Sequence, residues 1–290
     1  MTEPLLICSD LDRTLVPNGD APESPGARKL FRKLAVHSAV QLAYVSGRDV
    51  GRVKAVIDEF NLPMPDHVVT DVGSAIYDTR SGNLWQRNHD WEADIGQEWG
   101  DRAAERIAGA LSTVSFLKPQ DASKQGPLKV SFYFPSELSE PEVQQAVREP
   151  LTELDTPVTL IYSIDEPRDI GLLDVVPNRA SKLHAVHFLM QMLEIPMDRI
   201  VFCGDSGNDL SVLASPLRGV LVANASSSVK HEALRLAAQA GTESQLYVAK
   251  GSFMNMNGNY AAGILEGICH FFPETLDWIS DRRAQDDSLA

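Results

Sequence analysis

Three short apolar runs, far apart in the chain, end in the same manner. LLIC (5–8) runs into Ser-Asp-Leu-Asp, VQLAYV (40–45) into Ser-Gly-Arg, and IVFC (200–203) into Gly-Asp-Ser-Gly-Asn-Asp. Runs of this length, apolar at nearly every position, read as strands buried on both faces. GARKLFRKLAV (26–36) carries Leu and Phe at helical spacing, and VGRVKAVIDEF (50–60) repeats the pattern. Strand and helix in alternation imply parallel β/α units, whose ligands bind at the carboxyl ends of the strands. One sheet of this kind gathers Asp10, Asp12, Ser46, Gly47, Asp205, Asn208 and Asp209 along a single edge.

The alternation is interrupted. HVVTDVGSAIY (67–77) reads as a third strand continuing into a hairpin, and from about Trp85 the chain becomes rich in Trp, Asp and Glu. LKVSFYF (128–134) has the two-residue alternation of an antiparallel strand, EPEVQQAVREPL (140–151) reads as a helix, and VTLIYS (158–163) and GLLDVVP (171–177) as further strands. After Ser181 the β/α rhythm returns with SKLHAVHFLMQML, RIVFCGD, DLSVLA, GVLVANA and AAGILEGICHFF. The expected division is a core over 1–85, an α+β insert over 86–172, a second part of the core over 173–280, and a tail over 281–290.

A carboxylate cluster at a strand edge is costly unless it meets positive charge. A hard divalent cation such as Mg²⁺ suits it, because Mg²⁺ takes oxygen ligands, keeps several waters and is shared with substrate phosphate. Asp10, Asp205 and the main-chain carbonyl of Asp12 are the expected ligands. Either acidic stretch alone would pass for a solvated turn; both, at the ends of predicted strands, point to a site. Lys182 opens a helix, where the dipole opposes a cation, so an anion facing it would account for its place. Ser46 with the amides of Gly47 and Arg48 can cradle phosphate oxygens. His184 and His187 are three apart on one helix and suggest no zinc site.

Composition narrows the partners. A formal net charge of −14 repels polyanions, which argues against nucleic acid and anionic membrane surfaces. No apolar run reaches the roughly 18 residues of a membrane span, and no leader pattern opens the chain, so a cytoplasmic protein is expected. Cys8, Cys203 and Cys269 are few and lie in apolar stretches, as reduced core thiols do.

DLDRTL, SGR, Lys182 and GDSGNDLSVL resemble, in order, the four motifs of the haloacid dehalogenase-like (HAD) phosphohydrolases, and the likeness spans nearly the whole chain. That resemblance implies an α/β fold: a Rossmann-like HAD core with a parallel sheet, plus a smaller inserted α+β cap domain of the C2B type. KVSFYF, IYS, LLDVVP, FCGDSGND, GVLVANA and AAGILEGICHF are similar to the sucrose-phosphate phosphatases and to related domains of sucrose-phosphate synthases. By matching position, the resemblance makes Asp10 the nucleophile and Asp12 the general acid and base. Ser46, Gly47, Lys182 and Asn208 would hold phosphate, and Asp10, Asp12, Asp205 and Asp209 would form the Mg²⁺ set.

Two departures bear on substrate. Ser46 stands where the family usually has threonine, and VGSAI (72–76) replaces the common VGTEI, losing a carboxylate near the site. Candidate sugar contacts are Lys129, Tyr133 and Tyr162 in the insert and Arg48 and Asn178 in the core. The implied activity is hydrolysis of a phosphorylated disaccharide, foremost sucrose 6-phosphate, with possible association with a glycosyltransferase of the synthase type. Alternatives are mannosylfructose, glucosylglycerol or trehalose phosphate as substrate, a sugar phosphomutase, and a non-catalytic glycosyltransferase partner.

Overall fold

Strands that are apolar on both sides must be covered on both faces, and this requirement shapes the molecule. The computed structural model describes residues 3–82, 84–165 and 168–280; the expected tail, 281–290, lies outside them. The first part of the chain forms β1 (Leu5–Ser9), α1 (Ala27–Ala35), β2 (Val40–Val45), α2 (Val50–Glu59), β3 (His67–Thr70), β4 (Ala75–Asp78), β5 (Gln86–Arg87) and α3 (His89–Ile95). A second group follows: α4 (Ala103–Leu111), β6 (Lys118–Pro119), β7 (Val130–Pro135), α5 (Glu140–Thr152), β8 (Val158–Asp165) and β9 (Ile170–Pro177). The chain then resumes with α6 (Lys182–Met192), β10 (Ile200–Gly204), α7 (Leu210–Leu213), β11 (Arg218–Leu221), α8 (Ser227–Ala240), β12 (Leu246–Val248), α9 (Ala261–Phe271) and α10 (Thr275–Ile279).

The large sheet has eight strands in the order β12-β11-β10-β1-β2-β3-β4-β5. It is parallel from β12 to β3, and the hairpin adds β4 and β5 antiparallel at one edge. Along β1 the side chains alternate. Leu5 and Ile7 join Phe31, Val53 and Ile264 on one face, while Leu6 and Cys8 join Trp91, Leu189 and Leu213 on the other. The mainly parallel α/β core is therefore as the sequence implies. No helix among the described residues is long and apolar enough to cross a membrane.

The second group builds a four-stranded antiparallel sheet, β6-β7-β9-β8. Phe132, Phe134, Leu173 and Val175 point to one side, where Ile107 of α4 and Val143 and Val147 of α5 cover them. Ser131, Tyr133, Leu172 and Asp174 lie on the other face, toward the core.

The limits of the insert differ from those expected. Strand β5 pairs with β4, and Trp91 and Ile95 of α3 pack into the core, so residues 86–95 belong with the large sheet. The break expected between 172 and 173 falls inside β9, which pairs along its length with β8.

Candidate active site

Asp10 is the first residue beyond β1, and its amide donates to the carbonyl of Cys203 on β10 at 2.9 Å, so the two central strands present it together with Asp205. Lys182, the first residue of α6, reaches across from the start of the helix. Its Nζ lies 3.0 Å from Asp10 Oδ1, 2.7 Å from Asp209 Oδ1 and 3.1 Å from Asn208 Oδ1. The anion that would account for this lysine is thus a pair of buried carboxylates. Asp209 is fully buried, and its Oδ2 accepts from the amides of Asp205 and Ser206 and from Ser206 Oγ. The turn closes this tightly only because Gly204 lacks a side chain: a Cβ there would lie 2.6 Å from Asp209 Cγ.

Burial raises the Asp10 carboxyl to about 7; Lys182 pulls it down, while Asp209 and Asp205 push it further up. Asp205 rises to about 6, through burial and then Asp209, against Arg13 and the hydrogen bond from Thr14. One oxygen from each of Asp10, Asp205 and Asp209 falls within 4.8 Å of the others. Crowded hard oxygen donors, with the Asp10 and Asp205 carboxyls raised, are a donor set that fits a divalent cation such as Mg²⁺. Asp10 and Asp205 line the cavity while Asp209 lies behind them with its Oδ2 on the turn amides, so Asp10 and Asp205 are the carboxylates an ion can reach.

Asp12 enters the expected metal set by its main-chain carbonyl, and its carboxylate is engaged elsewhere. Its side chain turns away from the other three carboxylates: Arg48 donates to it from Nε at 2.7 Å and from Nη2 at 2.6 Å, and Asn18 from Nδ2 at 2.6 Å. Burial would raise this carboxyl, but the bonds from Arg48 and Asn18 prevail and hold it below the usual range. Ser46 is buried, with its amide on Val69 O and its hydroxyl accepting from the amide of Arg48 at 3.1 Å. Gly47 is exposed and lines the cavity above.

That cavity, about 500 Å³, lies between the strand edge and the inner face of the insert. Asp10, Asp12 and Asn208 form its floor, and Tyr133, Tyr162 and Arg168 stand among its upper walls. Arg168 lies over the Tyr133 ring at 5.3 Å. Tyr162 pairs in register with Leu173, so its ring packs toward the helix side while its hydroxyl has no partner. A wider cleft of about 1,060 Å³ continues past the Asp12 and Arg48 pair toward Asp20, Asn224 and Ile164.

Asn178 is the expected sugar contact that the fold does not deliver: it is exposed, does not line either space, and accepts from Thr159 Oγ1 at 3.0 Å. Lys129 lines the cavity with its ammonium 2.7 Å from Asp71 Oδ1 and 3.8 Å from Asp174 Oδ1. His184 bonds Asp94 at 2.6 Å and takes part in packing α3 against α6. Arg13, Asn18, Asp49, Asp71, Lys124 and Asp174 escaped the sequence reading. Arg13 lies within DLDRTL without a role there, the others lie outside the four motifs, and each matters only through a partner distant in sequence or held in a loop.

The profile of the family described as sucrose-6F-phosphate phosphohydrolase matches residues 3–272. A putative HAD-like hydrolase of Nitrosococcus oceani is 43% identical over 285 residues, covering 98% of this chain and 76% of that protein. The mannosylfructose-phosphate phosphatase of Agrobacterium fabrum is 27% identical, over 92% of this chain and 96% of its own. Among solved structures, the sucrose-phosphatase of Synechocystis in complex with sucrose and phosphate superposes with a TM-score of 0.68 at 28% identity, over 93% of this chain and 99% of that one.

Proposed function

We propose, from the premise that this chain belongs to the sucrose-6F-phosphate phosphohydrolase family of HAD-like phosphatases, that its substrate is a phosphorylated disaccharide and foremost sucrose 6-phosphate. The observation that carries the reading is the buried group of Asp10, Lys182 and Asp209 beneath the cavity. Binding alone has no need of a carboxylate held against an ammonium at the bottom of a sugar-sized space. We assign the insert to the C2B cap type on its layout, an antiparallel sheet backed by two helices.

In this mechanism an oxygen of Asp10 attacks phosphorus as the bond from phosphorus to the sugar oxygen breaks, leaving an aspartyl phosphate. Lys182 and the Ser46 hydroxyl bind the phosphoryl oxygens and stabilise their charge in the transition state. Asp12 delivers a proton to the departing sugar oxygen; Arg48 favours the ionised carboxylate, so its guanidinium turns to the substrate before that transfer. Water then attacks the aspartyl phosphate, gives its proton to Asp12 and releases inorganic phosphate. A Mg²⁺ held by Asp10 and Asp205 would offset the repulsion between carboxylate and phosphate.

The test is phosphate release with Mg²⁺ from sucrose 6-phosphate, mannosylfructose phosphate, glucosylglycerol phosphate, trehalose 6-phosphate and hexose phosphates, each repeated with chelator. Chelator-sensitive preference for sucrose 6-phosphate is the expected outcome. Mannosylfructose phosphate is the second reading, favoured by the Agrobacterium relative, and would win if it turned over faster. Release from none of them would overturn the proposal.

A further inference from the structure

The insert touches the core at two charged points that no step above uses. Lys124, at the end of the short turn Ala122–Lys124, pairs with Asp49. Lys129, just before β7, pairs with Asp71 at 2.7 Å. The two aspartates flank one residue in space. Asp49 follows Arg48 directly and caps α2, accepting from the amide of Arg52 at 3.0 Å, while the amide of Asp71 donates to Arg48 O at 2.9 Å. Arg48 in turn holds Asp12 through two bonds.

The gripped segment is also strained. Asp71, Val72 and Gly73 run consecutively through left-handed backbone, at φ 51°, 55° and 98°. Valine is branched at Cβ and rarely adopts that conformation, so neighbouring contacts must hold it there. Gly73 is required at its position, since a Cβ would come 3.0 Å from Ser181 N, beside Lys182. Lys129 itself is 8% exposed, and Asp174 keeps it aligned from β9.

We propose that Lys124 and Lys129 form a two-point latch, by which the insert grips the loops on either side of Arg48 and so sets the position of Asp12. Lys129 is thereby a positioning residue whose charge faces Asp71 and not the sugar. The latch belongs to the phosphatase reading above and gives it a mechanical consequence. Admission of substrate and departure of sugar require both pairs to part, and their closure returns the backbone on either side of Arg48 to its place, from which the guanidinium can serve Asp12 or the substrate.

The proposal is tested by hydrogen exchange on the ligand-free protein, following segments 46–52 and 70–75 in wild type, Lys124→Met, Lys129→Met and the double variant. Each pair should slow exchange by about two- to five-fold, and the two together by about tenfold. Raising salt from about 0.1 M to about 1 M shortens screening from about 10 Å to about 3 Å and should speed wild-type exchange in these segments more than exchange in the double variant, which keeps the Arg48–Asp12 and Arg52–Asp49 pairs of segment 46–52. Asp71→Asn, which suits left-handed backbone, should reproduce Lys129→Met, and combining the two should add nothing further. Protection of β10 should be the same in all variants, which separates unlatching from general destabilisation. Wild-type exchange in the double variant, or a salt response as large as that of wild type, would overturn the latch. Phosphate assays on the same samples keep the two ideas apart: a wild type that releases no phosphate removes the catalytic reading and leaves the exchange result standing, whereas an active enzyme with unchanged exchange removes the latch alone. In an active enzyme the double variant should raise KM more than it lowers kcat.

Discussion

The side chain of Asp10 is held in an unfavourable state for a purpose. Its carboxyl sits at about 7 because burial and two neighbouring carboxylates outweigh Lys182. Replacing it with asparagine removes one of three crowded carboxylates while leaving Lys182 bonded to Asp209. Asp10→Asn should therefore lower turnover by about 10⁴-fold or more with the melting temperature equal to or above that of wild type; substantial remaining activity in a phosphate assay would exclude Asp10 as nucleophile. His67 shows the opposite economy. It is 1% exposed on β3, neither ring nitrogen has a partner, and burial, then Arg80, lowers its pKa from 6.5. The unfolded chain takes up that proton more readily, so stability is lost as pH falls below about 6.5, with a slope of at most about 1.4 kcal/mol per pH unit. Urea unfolding at several pH values should show His67→Leu with a flatter acid limb than wild type.

At the scale of the element, the turn after β10 is the most exacting. Ala at position 204 would bring a methyl group into the Asp209 carboxylate, whose bonds fix the amides of Asp205 and Ser206 and orient Lys182. Gly204→Ala should cost about 1 to 3 kcal/mol by overpacking, read as a lower urea midpoint; on the proposed function it also weakens the Mg²⁺ site, since Asp205 moves with the turn. The sequence displays this element plainly, because everything in it lies within a few residues. It conceals others for physical reasons. Strands β5 and β12 have two and three residues, too few to show a period. Helix α8 buries only Ala233 and Ala237, so its inward face barely differs from its outward one. The LIYS stretch reveals a strand but not which way Tyr162 faces, which depends on its register with β9. Asp71 is visible as a loop residue, yet nothing in VTDVGS announces Lys129 as its partner.

Across the whole molecule, the strand-end motifs predicted a sheet edge and the fold delivers it, with Asp10, Lys182, Asp205 and Asp209 in mutual reach. The limits of the insert were less legible because composition changes near Trp85, before the chain leaves the large sheet, and because β9, read as one strand over 171–177, belongs to the sheet of the insert for its whole length. The central pairing carries a consequence for how the molecule is made. Strand β1, which ends just before Asp10, lies between β2 and β10, and Leu6 pairs with Ile200. On a ribosome adding about 5 to 20 residues per second, β1 and β2 can meet early, and the insert, closed upon itself by its own sheet, can follow. The chain must then wait for β10 before its first strand gains a second neighbour. The buried carboxylate group is thus among the last features the growing polypeptide completes, and a nascent chain halted before Asp205 carries Asp10 without Asp205, Asp209 or β10 beside it.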